Sequence, residues 1–172
     1  MERSAAQDRR KAVEQMLEKA GGPVSATALA RRFSVSRQII VGDVALLRAA
    51  GADITATPRG YVLGQGTPGL VCTVACRHTP EDMERELQLM VDQGCTVENV
   101  IVEHAVYGQL VGQLHLSSRY DVEQFVQAVA RQQARPLSDL TGGIHLHTLL
   151  CPDEAARQRV LTALEEAGFL LT

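Results

Sequence analysis

The sequence predicts an α+β protein built as two modules, an N-terminal winged helix-turn-helix followed by a ferredoxin-like β-α-β-β-α-β unit with one added helix and edge strand. Three observations carry this. Two serine-capped helical segments stand three residues apart before residue 50, which is helix-turn-helix spacing. Beyond residue 70, alternating and helical apolar patterns succeed one another in the β-α-β-β-α-β order. Between them Gly64, Gln65, Gly66, Thr67, Pro68 and Gly69 form the densest Gly/Pro/Thr cluster of the chain. The predicted boundaries are therefore 1–64 for the first domain, 65–69 for a linker and 70–172 for the second.

In the first module Val13, Met16, Leu17 and Ala20 recur at helical spacing from Asp8 onward, and Gly21, Gly22 and Pro23 end the helix. Ser25 caps Ala26 to Phe33, Ser34 and Val35 turn the chain, and Ser36 caps a longer helix through Ala49. Ile39, Ile40, Val44, Leu47 and Ala50 are expected to face the core, leaving Ser36, Arg37 and Gln38 exposed at the N-terminal end. Those side chains suit base edges and phosphates in a major groove. Asp53 to Leu63 reads as a hairpin with Arg59 at its tip, the wing of a winged helix.

In the second module Leu70 to Arg77 is a strand, and Thr79 with Pro80 opens a helix to about Gln93. Val97 to Glu103 and Val106 to Ser117 are strands, and Asp121 caps a helix to about Gln133. Ile144 to Cys151 is a strand, Asp153 caps the last helix, and Phe169 to Leu171 is the added edge strand.

Composition narrows the function classes. The 172 residues are 45% hydrophobic and 22% charged, with 3% aromatic and no Trp, which is globular usage. No run approaches the roughly 18 apolar residues of a membrane span, and Met1 to Arg10 lacks a signal-peptide core, so no membrane partner and a cytoplasmic location are expected. Cys72, Cys76, Cys95 and Cys151 are too few for a disulfide framework and read as small core residues. The net charge of −3 divides unevenly: residues 1–64 carry +4, the remainder −7. A basic first module beside an acidic second one suits a chain in which one module meets a polyanion.

All five histidines fall in the second module. The first and fourth strands of the expected sheet are antiparallel neighbours, so His78 at the end of one lies beside His145 and His147 at the start of the other. Residues two apart on a strand share a face. Glu86 lies along the buried stripe of Met83, Leu87 and Met90, where a carboxylate is costly unless paired or bound to a cation. Three imidazoles and a carboxylate make a divalent transition-metal set suited to Ni, Zn, Mn or Fe. Cys76 is a rival ligand, His115 reads as structural, and His104 is expected at the far end of the sheet, with a role that is local or across a subunit boundary.

These residues carry a resemblance over essentially the whole chain. Val35-Ser36-Arg37-Gln38-Ile39-Ile40-Val41 with the wing Ala56-Thr57-Pro58-Arg59-Gly60-Tyr61 resembles the niacin-responsive transcriptional repressors. The second half is similar to their three-histidine (3H) domain in His78-Thr79 with Glu84 to Leu87, Val102-Glu103-His104-Ala105-Val106-Tyr107-Gly108, Pro136 to Thr141 and Gly143-Ile144-His145-Leu146-His147-Thr148. Gly42 departs from the polar or basic residue usual in such recognition helices, and Ala105 from a proline. The resemblance implies a homodimeric repressor of NAD biosynthesis or niacin transport genes that binds double-stranded operator DNA. It further implies nicotinic acid as co-repressor and a metal held by the residues matching His78, Glu86, His145 and His147. His104 and Tyr107 are the expected ring or hydrogen-bond partners of the effector. The alternatives are a repressor that senses the metal itself and a metal-dependent hydrolase.

Overall fold

The computed structural model describes residues 2–64 and 69–172, so of the expected linker only Gly69 lies within the described residues. The chain divides into two compact units, Met1–Gly66 and Thr67–Thr172.

The first unit is α1 (Glu2–Lys19), α2 (Ala26–Phe33), α3 (Arg37–Ala49), β1 (Ile54–Thr57) and β2 (Gly60–Leu63). Helix α1 begins six residues before the expected Asp8, because the polar segment ahead of the apolar stripe also adopts helix. Ser25 Oγ accepts the Ala28 N–H at 3.0 Å and Ser36 Oγ the Ile39 N–H at 3.2 Å, so both predicted caps form. Between them Ser34 takes a left-handed conformation, φ 54°, which turns α2 out of its axis. Val13, Leu17, Leu29, Ile40, Val44, Leu47 and Ile54 form the core. Each such side chain contributes about 1.5–3 kcal/mol by leaving water.

Ile39 and Ala50 are not among them: Ile39 is 41% exposed, and Ala50, at the end of α3, is exposed as well. The inward stripe of α3 is Ile40, Asp43, Val44 and Leu47. Asp43 takes up inward surface because Arg9 Nε of α1 donates to its Oδ2 at 2.6 Å, while Arg9 Nη2 reaches Oδ1 at 3.3 Å. Strands β1 and β2 pair antiparallel with Thr57 opposite Gly60, and Val24 bridges Tyr61 as a third short rung. Gly60 has φ 140°, and a Cβ there would lie 2.4 Å from the Val24 backbone, so only glycine lets the wing close on this rung.

The second unit is β3 (Leu70–Arg77), α4 (Met83–Asp92), β4 (Thr96–His104), β5 (Gly108–Leu116), α5 (Arg119–Arg131), β6 (Ile144–Cys151) and α6 (Glu154–Glu166). The α+β class and the β-α-β-β-α-β succession are as expected. The sheet order is β3-β6-β4-β5, all neighbours antiparallel. The helix-connected parallel strands β3 and β4 are thus split by the fourth strand of the set, where the ferredoxin-like order inserts the third. The burial patterns account for this. Strand β6 alternates buried residues with exposed or half-buried ones along its whole length, whereas the first six residues of β5 include none that is buried, as suits an edge.

Local details also differ from expectation. Pro80–Asp82 is a 3-10 turn ahead of α4, and Thr79 makes no side-chain cap. Ser118, not Asp121, caps α5; Asp121 reaches back to accept from the N–H of Ser117, the residue before the cap, at 2.9 Å. The C-terminal edge strand reduces to one bridge, Leu170 beside Cys76, flanked by bonds from Arg77 N to Phe169 O and from Leu171 N to Ala75 O. Helices α4, α5 and α6 cover one face of the sheet, where Leu87, Met90, Val122, Val160 and Leu164 meet Cys72, Val74, Val97 and Leu149.

Candidate metal centre and nucleic-acid interface

The first residue beyond β3, the start of β6 and the buried face of α4 meet at one end of the second unit. Cys76 stands opposite His145, and Val74 opposite His147, which puts both imidazoles on the helix-covered face. Gly143 makes the approach possible: it has φ 92°, and a Cβ there would lie 2.3 Å from the His78 carbonyl oxygen. A side chain at 143 would push His78 away from His145.

On this frame three imidazoles converge on one carboxylate. Nε2 of His78 lies 2.7 Å from Glu86 Oε2, Nε2 of His145 3.0 Å from Oε1, and Nε2 of His147 3.3 Å from Oε2. All four side chains are at most 3% exposed. The other ring nitrogens are each held by a backbone carbonyl: Nδ1 of His78 by Thr79 at 2.7 Å, of His145 by Gly143 at 2.8 Å, of His147 by Asn99 at 2.7 Å. A carbonyl only accepts, so each Nδ1 carries a proton. In the neutral ring the Nε2 lone pair therefore points at Glu86.

Lone pairs facing a carboxylate need something positive between them. Three added protons would leave three imidazolium ions around one carboxylate in a nearly dry pocket, an uncompensated charge that burial penalises heavily. A single divalent cation satisfies all three Nε2 atoms and the carboxylate at once, and the carbonyl-held Nδ1–H groups are the usual orienting contacts of metal-binding histidine. The residues present fit a divalent transition metal. Burial pushes Glu86 up, but wherever an imidazole of His145, His147 or His78 takes a second proton its Nε2–H donates to the carboxylate, and this more than reverses the burial and holds Glu86 well below the usual carboxylate range. For His78, burial lowers and Glu86 raises, with a net rise. Cys76 offers a sulfur within 4.8 Å of ligand atoms of Glu86 and His145. Burial first, and then the charge of Glu86, push its thiol well up, which suits a packed thiol more than a thiolate ligand.

The remaining predicted ligand-site pair is apart from this cluster. His104 stands opposite Gly108, and its Nδ1 accepts the backbone N–H groups of Val106 at 3.1 Å and Tyr107 at 3.3 Å. The rings of His104 and Tyr107 lie 5.1 Å apart. No hydrogen bond or ring contact among the described residues joins this pair to the four. Its position corrects the expectation that His104 lies at the far end of the sheet. Ile101 stands opposite Leu146, so the parallel strands β3 and β4 both end where β6 begins, and His104 shares that end with His78. His115 faces Glu98 at 3.4 Å, a local contact.

In the first unit Ser36, Arg37 and Gln38 are exposed at the start of α3, as expected, and Arg59 sits in the wing turn, its N–H donating to Thr57 Oγ1 at 3.3 Å. The residue missed is Ile39, read as core yet exposed beside Arg37 and Gln38. Gly42 is exposed with open space around it.

Comparison with known proteins adds the family. Residues 71–172 match the 3H domain, and residues 9–62 match a helix-turn-helix domain. The chain is 44% identical over 165 residues to the probable transcription repressor NiaR of Thermotoga maritima, covering 96% of this chain and 94% of that protein. The chain belongs to the 3H-domain transcription repressors. It is also 42% identical over 159 residues to the transcription repressor NadR of Bacillus subtilis, covering 90% of this chain and 88% of that one. Membership makes DNA the macromolecular partner of the helix-turn-helix unit, and no described helix is long and apolar enough to cross a membrane.

Proposed function

We propose that this repressor acts in the cytoplasm as a homodimer on operators of NAD biosynthesis or niacin transport genes, with nicotinic acid as co-repressor at a divalent metal. His78, Glu86, His145 and His147 hold the ion, drawn from Ni, Zn, Mn or Fe. Residues 1–64 are the DNA-binding domain and 70–172 the metal and effector domain, joined by 65–69. The observation that carries the reading is the convergence of three Nε2 atoms on Glu86 with every Nδ1 already committed to a carbonyl.

When bound, the ion supplies an electrophilic centre for a carboxylate or a pyridine nitrogen. The protein holds the three imidazoles in one tautomer and excludes water from the pocket, and Tyr107 and His104 are the proposed ring or hydrogen-bond partners of the effector. Nicotinamide lacks the carboxylate, so charge distinguishes the two. On the DNA side Arg37 and Gln38 read base edges, Ser36 and Arg59 meet phosphates, and Ile39 offers an apolar contact for a thymine methyl.

The test is calorimetric titration of nicotinic acid, with nicotinamide as control, into metal-loaded protein and into the His145→Ala, His147→Ala double variant. Binding of nicotinic acid to the first and not to the second is expected. Absence of binding to loaded wild type overturns the co-repressor assignment and leaves the metal itself as effector.

A further inference from the structure

The sheet of the second unit has helices on one face only. On the other, β3 and β6 present Val71, Ile144 and Leu146, respectively 71%, 44% and 37% exposed, and β5 adds Val111 at 44%. Ala75, Leu146 and Ile101 lie side by side across three strands in the middle of this face. At its end stand two charges, Arg77 opposite Ile144 on β3 and Glu103 opposite Gln109 on β4. Both are exposed, and among the described residues neither makes an ion pair. Strand β6 separates them, which puts their backbones about 9–10 Å apart.

The geometry points to a second copy of this chain as the occupant of this face, packed sheet to sheet about a two-fold axis running along β6. That rotation lays β3 of each copy over β4 of the other and keeps residues level along the strands. Ile101 stands level with Leu146 and Arg77 with Ile144, so Glu103 falls at the height of Arg77. Each Arg77 then meets the partner's Glu103, twice per dimer, while Leu146 meets its own symmetry mate and Ala75 meets Ile101. A face whose centre is apolar and whose two unpaired charges exchange partners under one rotation is self-complementary, as an isologous interface requires. A partner of different sequence would have to supply the same pattern.

This names the surface of the dimer included in the proposed function, and its test needs neither nicotinic acid nor DNA, so it fails independently of the effector reading. Sedimentation velocity of the full chain over a concentration series is expected to show a dimer. Arg77→Glu and Glu103→Arg each create two like-charge confrontations and are expected to weaken association at least about tenfold. Arg77→Glu combined with Glu103→Arg restores the pairs and is expected to return to within about threefold of wild type. Leu146→Glu, on the axis, has no such rescue and is expected to be monomeric. A monomeric wild type, single variants that associate as wild type does, or a combined variant that does not recover, each overturn the proposal; recovery also shows that the single variants were not merely misfolded.

Discussion

Glu86 is where charge and shape separate. Glu86→Gln keeps the volume and removes the anion, so divalent-metal affinity is expected to fall at least about a hundredfold, beyond the 10–100-fold typical of lost outer contacts. A competitive chelator titration reads this, and an unchanged affinity would remove Glu86 from the ligand set. In chelator-stripped protein the same variant should alter the pH profile of stability. Glu86 titrates well below its usual 4.5 in the folded protein, so its contribution is present above that value and is lost as pH falls toward the folded one. His78 titrates above its usual 6.5, so its contribution is complete below 6.5 and is lost as pH rises through the folded value. Melting temperature should decline on both sides, and Glu86→Gln should flatten both limbs because the rise at His78 comes from Glu86. The spacing of His145 and His147 and the place of Glu86 on its helix were legible in the sequence. The carbonyls of Thr79, Gly143 and Asn99 that set the tautomers were not, since backbone acceptors leave no trace in side-chain identity.

At the scale of elements, the helix and strand periodicities located the elements correctly except the last edge strand, and failed where polar pairing overrode hydrophobic pattern. On α3 an aspartate counts as surface in any pattern, yet Asp43 is 4% exposed and Ile39 takes the outside. Its partner Arg9 is 34 residues away on another helix, a separation no local rule reaches. Asp43→Ala leaves the half-buried Arg9 without its acceptor and is expected to cost about 2 kcal/mol, the scale of hydrogen bonds to charged groups. Chemical denaturation should show this as a lower midpoint with an unchanged slope. A loss below about 0.5 kcal/mol would place the pair with surface ion pairs, which contribute little. Strand β6 divides its labour by parity: odd residues 145 and 147 face the metal set, even residues 144 and 146 the open face. One strand therefore touches both the proposed effector site and the proposed dimer surface.

For the whole molecule, the charge division of +4 against −7 and the two-module plan were readable at once, because composition survives without knowledge of contacts. Sheet order was not, because it depends on which strand tolerates an edge; the end at which His104 lies follows in either order, since the helix-connected strands β3 and β4 run parallel. Repression by a small molecule is a coupling between two sites, and coupling is reciprocal: whatever factor nicotinic acid adds to operator affinity, operator DNA must add to nicotinic acid affinity. Coupling factors of about 5–150 are usual. Calorimetry of nicotinic acid into metal-loaded protein, with and without operator duplex, should give the factor found by titrating the duplex with and without nicotinic acid. Both must be measured at one salt concentration, because phosphate contacts make DNA affinity steeply salt-dependent. The His145→Ala, His147→Ala variant should give a factor of one in both directions while retaining its salt-dependent DNA binding through the basic unit. A factor of one in the loaded wild type would mean that nicotinic acid binds both arrangements of the dimer equally, and such a ligand regulates nothing.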